Sequence, residues 1–269
     1  MAHRPAHLVD FHTHAFPEKV ADRAVQALAA AYQVHPVAPP TPAGLLGVMD
    51  EAGVDVSVIL PVATRPDQVR SINDWAAEVN SDRLVCFGAM HPDVADPAAE
   101  VDRMVSLGLK GLKLQPQFQE FYPDEERLFP LYQALQGKLI AVFHTGQEIV
   151  NVPHVYARPA ALARVRERFP HLVIVAAHMG GFRLRDEAKD YVVGKAQYLE
   201  TSYCTDLTDQ ELAATIRLHG VDRVLFGTDF PWSHARADLE RLCRLGLTQA
   251  ETEAVAWRNA SRLLGLRLG

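Results

Sequence analysis

The 269-residue sequence is poor in cysteine, with three residues at Cys86, Cys204 and Cys243. They lie far apart in the chain and form no C-x-x-C pair. The sequence therefore predicts neither a disulfide framework nor a cysteine-based zinc site. Because structural disulfides belong mainly to oxidising compartments, we expect a reducing, cytoplasmic location.

Long apolar runs and a large surplus of one charge are also lacking. The first residues, MAHRPAHLVD, contain no apolar signal-peptide core, and no run approaches the length of a membrane span. The formal net charge is −6, which argues against a basic surface for nucleic acid or anionic lipid. We expect no nucleic-acid or membrane partner and a small molecule as the substrate.

Eight short apolar segments have the composition of buried strands, and helix-like segments lie between them. They are HLVDFHTH, VDVSVILPV, RLVCFGAM, LGLKGLKLQP, KLIAVFHTG, HLVIVAAHMGG, AQYLETSY and DRVLFGTDFPW. Eight alternating repeats in about 250 residues predict an α/β fold, the (β/α)8 TIM barrel. An open doubly wound sheet is the alternative, but no glycine-rich phosphate motif follows the first strand. We expect one domain over residues 1–269.

Side chains that suit a metal stand at the C-terminal ends of four predicted strands. The first strand ends in His12 and His14, the fifth in His144, the sixth in His178 and the eighth in Asp229. Functional residues of barrel enzymes lie at that end of the strands. Side chains alternate across a strand, so the two histidines of the first strand share a face. Histidine with carboxylate suits Zn²⁺, and also Mn²⁺ or Fe²⁺.

Each of these residues taken alone has an ordinary structural explanation. A single His-x-His occurs by chance, and His144 could be a hydrogen-bonded core histidine. His178, before two glycines, could cap a helix, and Asp229 could form an Asx turn. Their joint position at strand ends favours the metal site.

The motifs together resemble the amidohydrolase superfamily, in which His-x-His, a central lysine or glutamate, two further histidines and an aspartate succeed one another. GLKLQP, HTG, AHMGG, GTDFPW and NASRLLGL are similar to its amidohydrolase-related branch. That branch includes aminocarboxymuconate-semialdehyde decarboxylase, resorcylate decarboxylases and pyrone-dicarboxylate lactonase. The resemblance extends over essentially the whole chain and specifies no substrate.

The resemblance implies one divalent metal, for which we predict Zn²⁺, with Mn²⁺ or Fe²⁺ as alternatives. Its implied ligands are His12, His14, His144 and Asp229. His178 then either completes the metal site or acts beside it as an acid or base. Two-metal relatives such as phosphotriesterase carry a carboxylated lysine on the fourth strand, where Lys113 stands here. We favour a single ion, and a homodimer is a possible assembly.

Two reactions fit such a site. Our main prediction is hydrolysis of an ester, lactone or amide by metal-activated water, with Asp229 taking the proton and His178 assisting the electrophile or leaving group. The alternative is non-oxidative decarboxylation of an unsaturated or aromatic acid. A non-catalytic metal protein is a third reading, against which the full ligand set argues. The predicted substrate-binding residues are Lys113, Arg65, Gln115, which replaces a histidine frequent in relatives, and Trp232.

Overall fold

The computed structural model describes residues 4–268, in which short strands alternate with helices. The strands are β1 Val9–Thr13, β2 Val56–Ile59, β3 Leu84–Cys86, β4 Gly88–Ala89, β5 Gly111–Leu114, β6 Ile140–Phe143, β7 Ile174–Ala176, β8 Tyr198–Glu200 and β9 Val224–Leu225. The α-helices are α1 Glu18–Tyr32, α2 Pro42–Ala52, α3 Val69–Val79, α4 Pro97–Ser106, α5 Pro116–Gln119, α6 Phe129–Leu135, α7 Pro159–Arg168, α8 Arg185–Tyr191, α9 Asp209–His219, α10 Ala235–Arg244, α11 Gln249–Glu253 and α12 Asn259–Leu264. No helix within residues 4–268 is long and apolar enough to cross a membrane.

The chain divides into two compact units, each built from separate stretches of sequence. Unit 1 comprises Met1–Ile59, Asp82–Leu84 and Glu200–Gly269, and unit 2 comprises Leu60–Ser81 and Val85–Leu199. One domain over residues 1–269 stays a prediction.

Unit 1 is built around β1, which is buried along its whole length and pairs in parallel with β2. The register places Val9 opposite Val56 and Asp10 opposite Ser57, and it shifts before Thr13. An irregularity of this kind redirects the side chains beside it. The two helices α2 and α10 pack against one another, and a π-helical turn at Ala254–Arg258 packs against β1 and β9.

Unit 2 contains the parallel run from β4 to β8, in which each strand pairs with the next. Helix α4 packs against α6, and α7 against α8. Strands buried on both faces need apolar residues at nearly every position, and β5, β6 and β7 are buried throughout. Lys113 is the one charged residue within these three strands, and His144 and His178 stand just after β6 and β7.

The predicted third strand, RLVCFGAM, is broken into β3 and β4. The two pieces belong to different sheets, and the amide of Asn73 bonds to β4 as a neighbouring strand would. Its Oδ1 accepts a hydrogen bond of 2.7 Å from the Ala89 backbone N, and its Nδ2 donates one of 3.2 Å to the Ala89 carbonyl. A Cβ at Gly88 would lie 2.9 Å from Asn73 Oδ1, so only glycine leaves room for this contact.

Candidate metal centre

The end of β1 and the segment after β9 bring three donor atoms together in unit 1. Nε2 of His12 lies 3.2 Å from Nε2 of His14. Oδ1 of Asp229 lies 3.3 Å from the first of these nitrogens and 3.1 Å from the second. Metal–ligand bonds of about 2.0–2.2 Å place neighbouring ligand atoms about 3.0–3.5 Å apart. The donor triangle of His12, His14 and Asp229 therefore has the dimensions of one face of a divalent ion's coordination shell.

Backbone hydrogen bonds fix the two segments that carry the triangle. The Phe11 N donates to Phe226 O at 2.8 Å, and Asp229 N donates to His12 O at 2.8 Å. His14 N donates to Phe230 O at 2.7 Å. Asp229 has a φ of 70°, an uncommon left-handed value for a residue other than glycine. This backbone conformation directs the Asp229 carboxylate toward the end of β1.

Asp10 links the end of β1 to the segment after β9 through hydrogen bonds. It is buried, and its Oδ1 accepts hydrogen bonds from the backbone N of Thr228 at 3.0 Å and of His12 at 3.2 Å. The hydroxyl of Thr228 donates to Asp10 Oδ2 at 2.6 Å. Burial raises the pKa of Asp10 to about 8, although these three hydrogen bonds lower it. Asp10 thus holds together the strand and the turn that carry the triangle.

A buried carboxylate contacts the triangle from the end of β8. Oε1 of Glu200 lies 2.9 Å from Nδ1 of His12, the ring nitrogen that faces away from the triangle. The hydroxyl of Ser202 donates to the same oxygen at 2.8 Å, and the backbone N of Ser202 donates to Oε2 at 2.6 Å. A Cβ at Gly227 would lie 2.5 Å from Oε2 and 3.0 Å from His12 Cβ, so glycine is required there.

The donor chemistry of the triangle fits a cation. Because a carboxylate only accepts hydrogen bonds, Nδ1 of His12 carries the ring hydrogen that faces Glu200. In the neutral ring Nε2 then has a lone pair, and it points toward Asp229, which is also an acceptor. Two acceptors at 3.3 Å repel each other unless positive charge or hydrogen lies between them. A divalent ion satisfies all three donor atoms at once.

Unit 2 brings His144 and His178 together. Nδ1 of His144 lies 3.1 Å from Nε2 of His178, and the ring centroids are 4.8 Å apart. Nε2 of His144 faces two acceptors at 3.3 Å, Oε1 of Glu148 and the Gln147 carbonyl. Nε2 therefore carries hydrogen, which leaves the lone pair of the neutral ring at Nδ1, facing His178. This pair offers either two ligand atoms or a donor and an acceptor.

Left-handed backbone turns position both histidines of this pair. His178 and Met179 have φ values of 55° and 51°, and the guanidinium of Arg185 donates to the His178 carbonyl at 2.7 Å. Beyond His144, Gly146 has a φ of +112°, and a Cβ there would lie 2.2 Å from the Phe182 backbone N. Positive φ outside glycine costs free energy, so the surrounding fold must hold these turns in place.

The four predicted substrate-binding residues are placed differently. Lys113, on β5, is 2% exposed. Gln115 is buried, and its Nε2 donates to Glu148 Oε1 at 3.3 Å. Arg65 has a side chain that is 63% exposed, and it forms a bidentate ion pair with Asp67. Trp232 is half-buried in unit 1, and its backbone N donates to the Asp229 carbonyl at 2.9 Å. Their role in binding substrate stays a prediction.

Glu200, Ser202 and Glu148 are not among the residues that the sequence predicts for the site. The signal for the first two was present in AQYLETSY, the predicted seventh strand, which ends in a carboxylate and a hydroxyl two residues apart. Residues at i and i+2 share a face of a strand, as in the His-x-His of β1. Glu148 follows His144 by four residues in a loop, where no periodicity indicates its direction.

Comparisons with known proteins agree with this architecture. The family model described as Amidohydrolase matches residues 9–266, and the chain belongs to this family. The 5-carboxyvanillate decarboxylase LigW from Sphingomonas paucimobilis is 19% identical, with a TM-score of 0.71 over 97% of this chain and 99% of that chain. A dihydroxybenzoic acid decarboxylase from Polaromonas sp. JS666, with bound manganese and 2-nitroresorcinol, is 18% identical, with a TM-score of 0.71 over 98% of both chains.

A third similar structure is described as a TIM barrel. An uncharacterised TIM-barrel protein from Bordetella bronchiseptica is 21% identical, with a TM-score of 0.74 over 96% of this chain and 98% of that chain. A search among curated proteins gave no match. The structural likeness confirms the predicted (β/α)8 TIM-barrel fold of the α/β class, and the family match confirms the resemblance to the amidohydrolases.

Proposed function

We propose that this protein is a metal-dependent, non-oxidative decarboxylase of a hydroxylated aromatic acid. The observation that carries the proposal is its likeness, over nearly its whole length, to decarboxylases of 5-carboxyvanillate and of dihydroxybenzoates. The reaction balances as an aromatic carboxylate plus one proton giving the arene and CO2. This proposal reverses the order of the two reactions that the sequence suggested. Hydrolysis of an ester, lactone or amide stays a prediction.

We propose that His12, His14 and Asp229 hold one divalent ion. Mn²⁺ is our first choice, because the Polaromonas decarboxylase and a 5-carboxyvanillate decarboxylase from Novosphingobium aromaticivorans contain manganese. Zn²⁺ and Fe²⁺ suit the same donors and are second choices. Such an ion supplies Lewis-acid chemistry toward the oxygen atoms of the substrate. His144 as a ligand, and a second ion beside a carboxylated Lys113, stay predictions.

Lys113 is our proposed contact for the substrate carboxylate. A lysine that is 2% exposed loses most of its hydration, so an anionic partner gains more from it than from a surface lysine. Arg65 is engaged by Asp67 and is the weaker candidate. Trp232, at the turn that carries Asp229, is our proposed apolar contact for the aromatic ring. In enzymes of this fold the functional residues lie at the C-terminal ends of the strands, and Lys113 stands near that end of β5.

His178 is our proposed proton donor. When the bond to the carboxylate breaks, its electron pair stays on the ring carbon, which must then take up a proton. Because His144 presents its lone pair at Nδ1, the facing Nε2 of His178 carries hydrogen in the resting pair. That hydrogen is donated to His144, so the proton given to the ring carbon is the second ring proton of His178, which the imidazolium form carries at Nδ1. Glu148, beside His144 Nε2, stabilises the orientation of the pair.

The test is turnover by the metal-loaded protein. We would incubate it with 5-carboxyvanillate, 2,6-dihydroxybenzoate, aryl esters and lactones, and measure CO2 and the aromatic product by chromatography. We expect CO2 from at least one aromatic acid, and a fall in kcat of about 10²- to 10⁴-fold in His178→Gln, the range for general acid catalysis. The matched control is His154→Gln, an exposed histidine of unit 2. Turnover of esters or lactones without any CO2 release would overturn the proposal and restore hydrolysis.

A further inference from the structure

Glu200 is a buried acid whose carboxylate contacts His12 on the side that faces away from the donor triangle. Its exposed fraction is 0%, and Ser202 is equally buried. A carboxylate in such surroundings pays a large desolvation penalty unless hydrogen-bond donors surround it. Here His12 Nδ1 stands at 2.9 Å, the Ser202 hydroxyl at 2.8 Å and the Ser202 backbone N at 2.6 Å. These three contacts join the carboxylate to His12 and to Ser202, the residue that holds the carboxylate against the ring.

We propose that Glu200 is a positioning residue for metal binding by His12. It fixes the ring as the Nδ1–H tautomer, so the lone pair is at Nε2, where His14 and Asp229 supply the other donor atoms. Its negative charge also makes Nε2 a stronger electron donor. The inference rests on the proposed function only in that the triangle holds a divalent ion. In this role Glu200 acts through His12 and is not one of the three donors of the triangle.

Ser202 holds the carboxylate in the required orientation. Its hydroxyl and its backbone N donate to different oxygens of Glu200, so the carboxylate plane is fixed by two bonds. The hydroxyl also lies 3.1 Å from His12 Nδ1, so the ring hydrogen is shared between two oxygen acceptors. Gly227 leaves the space that the carboxylate occupies. Glu200, Ser202 and Gly227 together account for the ring orientation of His12.

Glu200→Gln is the sharpest perturbation, because it keeps the shape and removes the charge. A glutamine offers one oxygen, so it cannot accept from both His12 and the Ser202 backbone N. Glu253→Gln is the matched control, because Glu253 is a buried acid of the same unit. It accepts from the Ala6 backbone N at 2.9 Å and from the Trp257 indole, and within residues 4–268 from no histidine. Ser202→Ala is a milder second variant that retains Glu200.

The first measurement is the Kd for Mn²⁺ on metal-free protein, from the electron paramagnetic resonance signal of the free ion. We expect Glu200→Gln to raise this Kd by about 10- to 100-fold, the usual effect of losing an outer-shell partner. Ser202→Ala should raise it by about 2- to 10-fold, as one lost hydrogen bond would. Glu253→Gln should leave it at the wild-type value. Circular dichroism and urea unfolding establish that each variant is folded.

The second measurement reads the His12 ring itself. Two-bond ¹H–¹⁵N spectra of metal-free protein, assigned by comparison with His12→Gln, should show the Nδ1–H tautomer in the wild type and a mixture in Glu200→Gln. A folded Glu200→Gln with the wild-type Kd and tautomer would overturn the inference. If that variant does not fold, a wild-type Kd in Ser202→Ala would overturn it. If the wild type binds neither Mn²⁺ nor Zn²⁺, the proposed function and the metal-binding part of this inference both fail. The tautomer measurement then decides only whether Glu200 fixes the His12 ring.

Discussion

Replacing Gly227 by alanine should damage the donor triangle through Glu200. The new Cβ would lie 2.5 Å from Glu200 Oε2 and 3.0 Å from His12 Cβ, and both distances are shorter than ordinary contacts. The oxygen must move by most of an ångström, but it is held at 2.6 Å by the Ser202 backbone N. Overpacking of this kind costs about 1–3 kcal/mol. A weakened hydrogen bond to a charged group costs about as much again.

Gly227→Ala should lower the free energy of unfolding more with Mn²⁺ present than without it. If displacement of His12 weakens Mn²⁺ binding by about 10- to 100-fold, the bound ion contributes about 1.4–2.7 kcal/mol less to stability. We would measure urea unfolding of Gly227→Ala with chelator and with saturating Mn²⁺. The control is Gly47→Ala, because the added Cβ meets no atom within 4 Å in α2. That change should stabilise the helix by about 0.5–1 kcal/mol. Equal stability of Gly227→Ala and wild type in both solutions would refute the reasoning.

Three further predictions concern the substrate, the ion and pH. Lys113→Met should raise the KM for the aromatic acid by about 10- to 100-fold, as loss of a charged contact does, while the exposed Lys110→Met leaves it unchanged. Adding Mn²⁺ at about 100 times its Kd should stabilise the wild type by about 2.7 kcal/mol against urea, and His14→Ala should abolish this gain. Burial raises the pKa of Asp238 from 3.8 to about 6, so the folded state binds the proton more tightly. The protonated Asp238 stabilises the fold below pH 4, and this contribution is lost as the pH rises through 6. Asp238→Asn should remove this decline of the free energy of unfolding with pH, measured by urea unfolding. It should stabilise the protein at pH 7 by up to about 3 kcal/mol.

The fold was largely predictable because it depends on a repeated local pattern. Short apolar runs between helix-like segments identify parallel strands, and the structure has a strand within each of the eight predicted segments. The pattern does not predict that the segment RLVCFGAM forms two short strands, β3 and β4. Its composition is continuous, but the amide of Asn73, in α3, takes the place of a strand neighbour. No local property of the segment indicates a partner that lies elsewhere in the sequence.

The candidate site was predictable to the extent that strand parity determines it. His12 and His14 share a face of β1, and Asp229 follows β9. Functional residues of this fold lie at the C-terminal ends of the strands, and this rule is enough to group the three. The ion pair of Arg65 could not be predicted in this way. A cation near a strand end suggested an anion contact, yet Asp67, two residues away, engages the guanidinium in two hydrogen bonds. Ion pairs between flexible side chains depend on rotamers, which the sequence pattern does not specify.

Buried carboxylates are the feature that a list of metal-suited residues misses. Glu200 in unit 1 and Glu148 in unit 2 each contact one ring nitrogen of a histidine and leave the lone pair of the neutral ring at the other. The sequence can place histidines at strand ends, but the tautomer depends on which acceptor faces each nitrogen. Burying an acid costs free energy, and here each buried acid accepts a hydrogen bond that fixes the direction of a histidine ring. Glu200 therefore determines which ring nitrogen of His12 has the lone pair, and Glu148 does the same for His144. Neither acid is one of the three donors of the triangle.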